Sequence, residues 1–151
     1  MIIAITTNSR SRSSKLCNEL KKAMSNQDTM TAGFRYPVVK IAKMFGWDGR
    51  YDERGKKLIN TLYSCGIEYD KDIWVKKMEK LVKKTHVKKK TIIISDIDSK
   101  KQVDMLNRID SVRLIVCGDN AFLEKDGLID IFVESDKPIE EVVAQIMKRI
   151  K

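Results

Sequence analysis

Two stretches of the 151-residue chain carry side chains whose type and spacing could do chemistry on phosphate. The first is Thr7-Asn-Ser-Arg-Ser-Arg-Ser-Ser14, followed by Lys15. It leaves a β-branched apolar run, Ile2 to Thr7, and enters a segment with Leu16, Leu20, Ala23 and Met24 at helical spacing. A strand passing through a small polar loop into a helix is where backbone N–H groups gather around phosphate oxygens. Laid on this stretch, the phosphate-loop pattern G-x-x-x-x-G-K-[ST] keeps only its last hydroxyl, Ser14. Thr7 and Arg12 stand at the glycine positions and Ser13 at the lysine position. On the residues alone, a solvated helix start fits the same stretch. The second is Asp96, which closes the apolar run Thr91 to Ser95 and on the residues alone suits a turn or a helix N-cap.

The surrounding pattern defines what must position these groups. Thr91 to Ser95 is apolar without alternation, as in a strand covered on both faces. Val112 to Cys117 and Leu128 to Val133 are predicted as further strands, and Gly33 to Tyr36 as a short one. Helices are predicted after Pro37 up to Gly46, over Asp52 to Leu62, from Asp72 through the lysines, over Ser99 to Ile109, and after Pro138. In the last of these Ile139, Val142, Val143, Ile146, Met147 and Ile150 point inward. Alternation of this kind predicts one three-layer α/β domain over residues 1–151, its mostly parallel sheet flanked by helices. In such sheets ligands lie beyond the carboxyl ends of the strands, the edge to which both stretches belong.

Further motifs then recur in a recognisable order. Phe34-Arg-Tyr-Pro37 is followed by Phe45-Gly-Trp-Asp-Gly49, Asp52-Glu-Arg-Gly-Lys56, Asp72-Ile-Trp-Val75 and Ile93-Ile-Ser-Asp96. Along most of its length the chain resembles the bacteriophage deoxynucleoside monophosphate kinases, most specifically in W-D-G-x-x-D-E-x-G, matched by Trp47 to Gly55. The resemblance implies a P-loop kinase fold that holds ATP at the first loop and a deoxynucleoside monophosphate over the sheet between two mobile segments. Thr7, Arg10, Arg12, Ser13 and Ser14 would then contact ATP, with Ser14 and Asp96 at magnesium and Asp96 and Lys15 serving phosphoryl transfer. Arg35, Trp47, Asp48, Asp52 and Lys56 would bind the monophosphate.

The departures from that family bear on catalysis, which in phosphoryl transfer depends on loop backbone, lysine and magnesium. The loop has no glycine, and its lysine is displaced to Lys15. Ser95-Asp-Ile-Asp98 ends in a carboxylate where the family has arginine, and Gly118 to Gly127, in the lid's place, offers Lys125 as its one cation. These losses point to a degenerate kinase: a pseudoenzyme that keeps a nucleotide, phosphate or protein-partner role. An active enzyme with ATP and Mg2+ as cofactors and a basic nucleic-acid-binding protein are the alternatives.

Composition narrows these further. Of the net charge of +9, eight lysines and one glutamate between Lys76 and Lys90 account for seven units. That run is either the wet face of a helix or an anion-attracting patch for nucleic acid or an acidic protein. Trp47 and Trp74 suit core aromatics as well as base platforms, and His86 reads as solvated with no carboxylate partner. Three cysteines in apolar settings, Cys17, Cys65 and Cys117, read as reduced and partly buried. No apolar run approaches the roughly 20 residues of a membrane helix, and the expected location is the cytoplasm, of a host cell if the protein is viral.

Overall fold

A computed structural model describes all residues except 8, 9, 26, 27, 89, 98, 111, 118–130, 134–136 and 151, with the backbone alone at 10, 11, 112–117 and 131–133. Five strands, β1 (Ile2–Thr7), β2 (Thr29–Gly33), β3 (Thr91–Ser95), β4 (Val112–Cys117) and β5 (Ile131–Val133), form one sheet in the order β2-β3-β1-β4-β5. Every pairing is parallel. The helices are α1 (Arg10–Ala23), α2 (Tyr36–Met44), α3 (Glu53–Tyr69), α4 (Ile73–Val87), α5 (Lys100–Asn107) and α6 (Ile139–Ile150).

The chain divides into two compact units, one of Met1–Gly33 with Val82–Lys151 and the other of Phe34–Leu81. The first holds the sheet. Ile3, Ile5 and Ile93 pack with Leu16, Leu20 and Met24 of α1 and with Val142 and Ile146 of α6. Successive strand residues point to opposite faces, and Ile2, Ala4, Ile92 and Ile94 are as fully buried as their neighbours, so the sheet is covered on both sides. That double coverage is why β1 and β3 read as unbroken apolar runs, and it makes the three-layer architecture. All six residues expected inward on α6 lie in or against this core.

The second unit is built on α2, α3 and the start of α4 around Val38, Ala42, Ile59 and Trp74. Trp74 is buried, its indole N–H donates to the Tyr63 carbonyl at 3.0 Å, and its ring stacks on Tyr63 with centroids 6.1 Å apart. A Cβ at Gly66 would stand 2.3 Å from Trp74 Cζ2, so α3 carries glycine where the indole lies against it.

Several boundaries differ from the sequence pattern. The strand expected at Gly33 to Tyr36 lies at Thr29–Gly33, where five residues pair with Thr91–Ser95 in register. The helix expected to end at Leu62 runs on to Tyr69, because Tyr63 and Gly66 continue the face that packs on Trp74. Of the last predicted strand, Ile131–Val133 is β5, and residues 128–130 lie outside the described residues. Among the described residues no helix is long and apolar enough to cross a membrane.

Candidate functional site

The strand order fixes where the first unit can hold a ligand. From β1 the chain crosses to β2 on one side, and from β3 it crosses to β4 on the other, so β1 and β3 are neighbours whose connections leave in opposite directions. A crevice opens beyond the carboxyl ends of such a pair. Ala4 lies opposite Ile94; three further residues carry β1 to Thr7, while β3 ends one residue on at Ser95. Thr7 and Asp96 therefore close adjacent strands at the same edge.

α1 starts at Arg10, earlier than the sequence pattern suggests, so Arg10 to Ser14 lie on the helix and not in a loop. The cause is composition. A phosphate loop wraps an anion with glycines that adopt conformations closed to other residues, and this stretch has none. What remains is the N-terminus of a 14-residue helix, with the positive end of the helix dipole and no acidic residue in the first turn. Residues 8 and 9 and the side chains of Arg10 and Ser11 lie outside the description.

The described side chains differ in what they can offer a ligand. Arg12 is half-buried and donates from Nη2 to the Lys137 carbonyl at 2.5 Å, which ties α1 to the approach to α6. Ser14 and Lys15 are exposed. Ser13 is 1% exposed, and its hydroxyl is the one buried side-chain polar atom among the described residues without a partner.

Asp96 is the one described non-glycine residue with positive φ, at 61°. Aspartate is among the residues that tolerate this region, at a modest energetic cost. Its Oδ2 accepts a hydrogen bond from Ser95 Oγ at 3.3 Å. A Cβ at Gly33, which pairs with Ser95, would stand 2.8 Å from that oxygen. The carboxylate thus lies over the ends of β2 and β3, on glycine. Asp96 is not the cap of α5, since Ser99 holds that position.

An oxygen ligand at a strand end suits Mg2+, which takes one or two carboxylates together with phosphate oxygens. The triphosphate is a different matter. Five of the eight positions that would cradle it are helical, none is glycine, and the lysine position holds buried Ser13. The described residues do not build an ATP cradle. Among them no group of three or more His, Cys, Asp or Glu side chains forms a metal cluster.

In the second unit the Trp47 to Gly55 motif is occupied with its own turn. Gly46 and Gly49 take φ of 92° and 86°, conformations that favour glycine. Trp47 Nε1 donates to the Arg50 carbonyl at 3.0 Å, Asp48 accepts from Arg50 N at 2.9 Å, and Asp52 caps α3 by accepting from Gly55 N at 2.8 Å. A Cβ at Gly55 would stand 2.0 Å from the Arg50 carbonyl oxygen. These bonds account for the tryptophan, both aspartates and all three glycines.

Two cations of the same unit stand clear of that turn. Lys56 is exposed on α3, one turn before Asn60. Arg35 is half-buried, donates from Nη1 to Asn60 Oδ1 at 3.1 Å, and holds its guanidinium 4.9 Å from the centre of the Tyr63 ring. Cation–π contact and the amide fix its plane. Asn60 and Tyr63 escaped sequence reasoning, although Asn60 follows Lys56 at i+4.

The lysine run is partly paired. Lys76 bonds Asp70 at 2.5 Å, which raises its pKa above the ordinary lysine value, and Lys90 pairs with Asp28 at 2.6 Å. His86, expected without a carboxylate, has its Nδ1 3.5 Å from Asp110 Oδ2, a partner brought by the fold from the far side of α5 in sequence. Cys17 is buried as expected, but Cys65 is exposed on the outer face of α3. Lys89 and the Gly118 to Gly127 segment lie outside the described residues.

Solved structures decide the fold. The chain superposes on the APS kinase of Mycobacterium tuberculosis with a TM-score of 0.59 at 7% identity, covering 99% of this chain and 95% of that one. Similar matches are a sugar kinase from Janibacter sp. (TM-score 0.59, 13% identity, 99% and 93% covered) and shikimate kinase from Aquifex aeolicus (0.50, 17%, 99% and 96%). The fold is that of the P-loop kinases. At these identities the likeness extends to the fold and no further, and the sequence matches no protein-family model and no curated protein.

Proposed function

We propose that the protein is a deoxynucleoside monophosphate kinase-like pseudoenzyme, which binds a phosphate-bearing ligand and has given up phosphoryl transfer. The observation that carries this reading is the start of α1. A helix N-terminus without acidic residues stands at the carboxyl edge of β1, next in the sheet to the strand that Asp96 closes. The positive end of the helix dipole there favours an anion. The same backbone lacks the glycine turn that would wrap a triphosphate and the lysine that would stabilise the transferred group.

In the second unit, Arg35 held over the Tyr63 ring, with Lys56 exposed on α3, supports an acceptor-type site for a nucleoside monophosphate. The Trp47 to Gly55 resemblance supports the same class, although its polar groups serve the α3 cap, which leaves Arg35 and Lys56 as the direct contacts.

Calorimetric titration with inorganic phosphate, ATP and each deoxynucleoside monophosphate tests this. The expected result is binding of phosphate or a monophosphate, weakened by Arg35→Ala or Lys56→Ala for the monophosphate, with ATP binding no tighter than inorganic phosphate. Tight, magnesium-dependent ATP binding would overturn the reading. An active kinase is the second reading, favoured by the retained, strained Asp96; turnover lost in Ser14→Ala or Asp96→Asn would establish it.

A further inference from the structure

Within the second unit, α2 and the first half of α4 enclose a cavity of about 340 Å³ that no part of the proposed phosphate chemistry uses. Tyr36, Pro37, Ile41, Met44 and Leu81 give it an apolar lining, and Lys40, Lys77 and Lys80 stand around it. Met44 is 82% exposed, and Tyr36 lies at the boundary of exposure. The three lysines are exposed and have no carboxylate partner among the described residues.

Lys40, Lys77 and Lys80 are therefore a ring of unneutralised ammonium groups around an apolar floor, the complement of an acidic amphipathic surface. The helices themselves supply little counter-charge. α2 has Lys40 and Lys43 and no acid, and α4 has Glu79 alone against its lysines and His86. Tyr36, Lys40 and Met44 recur every four residues on α2, the spacing of a groove wall that receives a helix.

We infer that the α2–α4 groove of this unit docks an acidic amphipathic helix of a partner protein, whose apolar residues sit on Ile41, Met44 and Leu81 and whose carboxylates meet Lys40, Lys77 and Lys80. A nucleic acid would use the lysines but would leave the floor of Ile41, Met44 and Leu81 without a role. This surface is independent of the α1 N-terminus and of Arg35.

Fluorescence anisotropy tests it on the intact chain with a labelled 15-residue peptide. Its leucines recur at i, i+4, i+7 and i+11, and the remaining positions are glutamate and alanine. The controls are a peptide of the same composition with leucines spread around the helix, and a 15-nucleotide single-stranded DNA. The amphipathic peptide should bind about ten-fold more tightly than its scrambled control. Charge reversal of all three lysines (Lys40→Glu, Lys77→Glu, Lys80→Glu) should weaken binding by about ten-fold or more, and Met44→Glu by roughly five-fold. Each variant should keep the circular dichroism of the parent, since these side chains are exposed.

Failure of the peptide to bind, equal binding of the scrambled control, or indifference to the lysine reversals would overturn the proposal. DNA that binds through the same lysines, is indifferent to Met44→Glu and fully displaces the peptide would replace it with a nucleic-acid surface. Phosphate or monophosphate binding should be unchanged in the triple lysine variant and in Met44→Glu, so failure here and failure of the phosphate-binding reading are separate results.

Discussion

At the scale of single residues, three sites carry measurable consequences. The Ser13 hydroxyl is buried without a partner, a state that costs free energy. Ser13→Ala should therefore leave stability unchanged or raise it by about 1 kcal/mol in chemical denaturation. Gly33 leaves room for the Asp96 carboxylate; Gly33→Ala should cost about 1–2 kcal/mol, and part of that should be recovered when Asp96→Ala is added. The Lys76–Asp70 pair fixes a pH dependence. Because folding raises the Lys76 pKa, the pair contributes below the ordinary lysine value of about 10.4 and fades as pH climbs through the folded value. Urea unfolding followed from pH ~9 upward should show this loss in the parent and not in Asp70→Asn. The sequence made Ser14 and Asp96 visible as chemical groups, but not Ser13's burial, Asp96's positive φ or the carboxylate beside His86. Those depend on which segments the sheet brings together, and no local pattern encodes that.

At the scale of elements, the two parts of the chain were legible to different degrees. Double burial marked β1 and β3 as apolar runs, and the 3.6-residue period marked α6 with all six of its inward residues. The start of α1 and the end of α3 were not legible. The first depends on what a glycine-free stretch does after a strand, and the second on the indole of Trp74, a tertiary partner. The turn and helix cap formed by Trp47, Asp48 and Asp52 were not legible either, because the motif does not show which backbone groups its side chains meet. Asp52→Ala should destabilise the second unit by about 1 kcal/mol through loss of the cap. Gly55→Ala should cost more, about 3 kcal/mol, because the added carbon meets backbone at Arg50 and has no flexible side chain to displace. Thermal or urea unfolding of the two variants would give the reverse order if Trp47 to Gly55 were held mainly by a ligand and not by its own turn.

For the whole molecule, charge and fold separate cleanly. Seven of nine net positive units lie between Lys76 and Lys90, where two lysines are paired and Lys77 and Lys80 border an apolar groove, so the basic character is local to one helix and its end. The sheet order β2-β3-β1-β4-β5 and the likeness to APS, sugar and shikimate kinases give the P-loop kinase fold. In this chain α1 starts at Arg10, three residues after Thr7 closes β1, and no glycine lies between Thr7 and Ser14. The proposed loss of phosphoryl transfer turns on this one connection, and one assay addresses it. Purified protein incubated with ATP, Mg2+ and each deoxynucleoside monophosphate should form no diphosphate above the rate without protein. Diphosphate formation that is abolished by Ser14→Ala or Asp96→Asn would contradict the account.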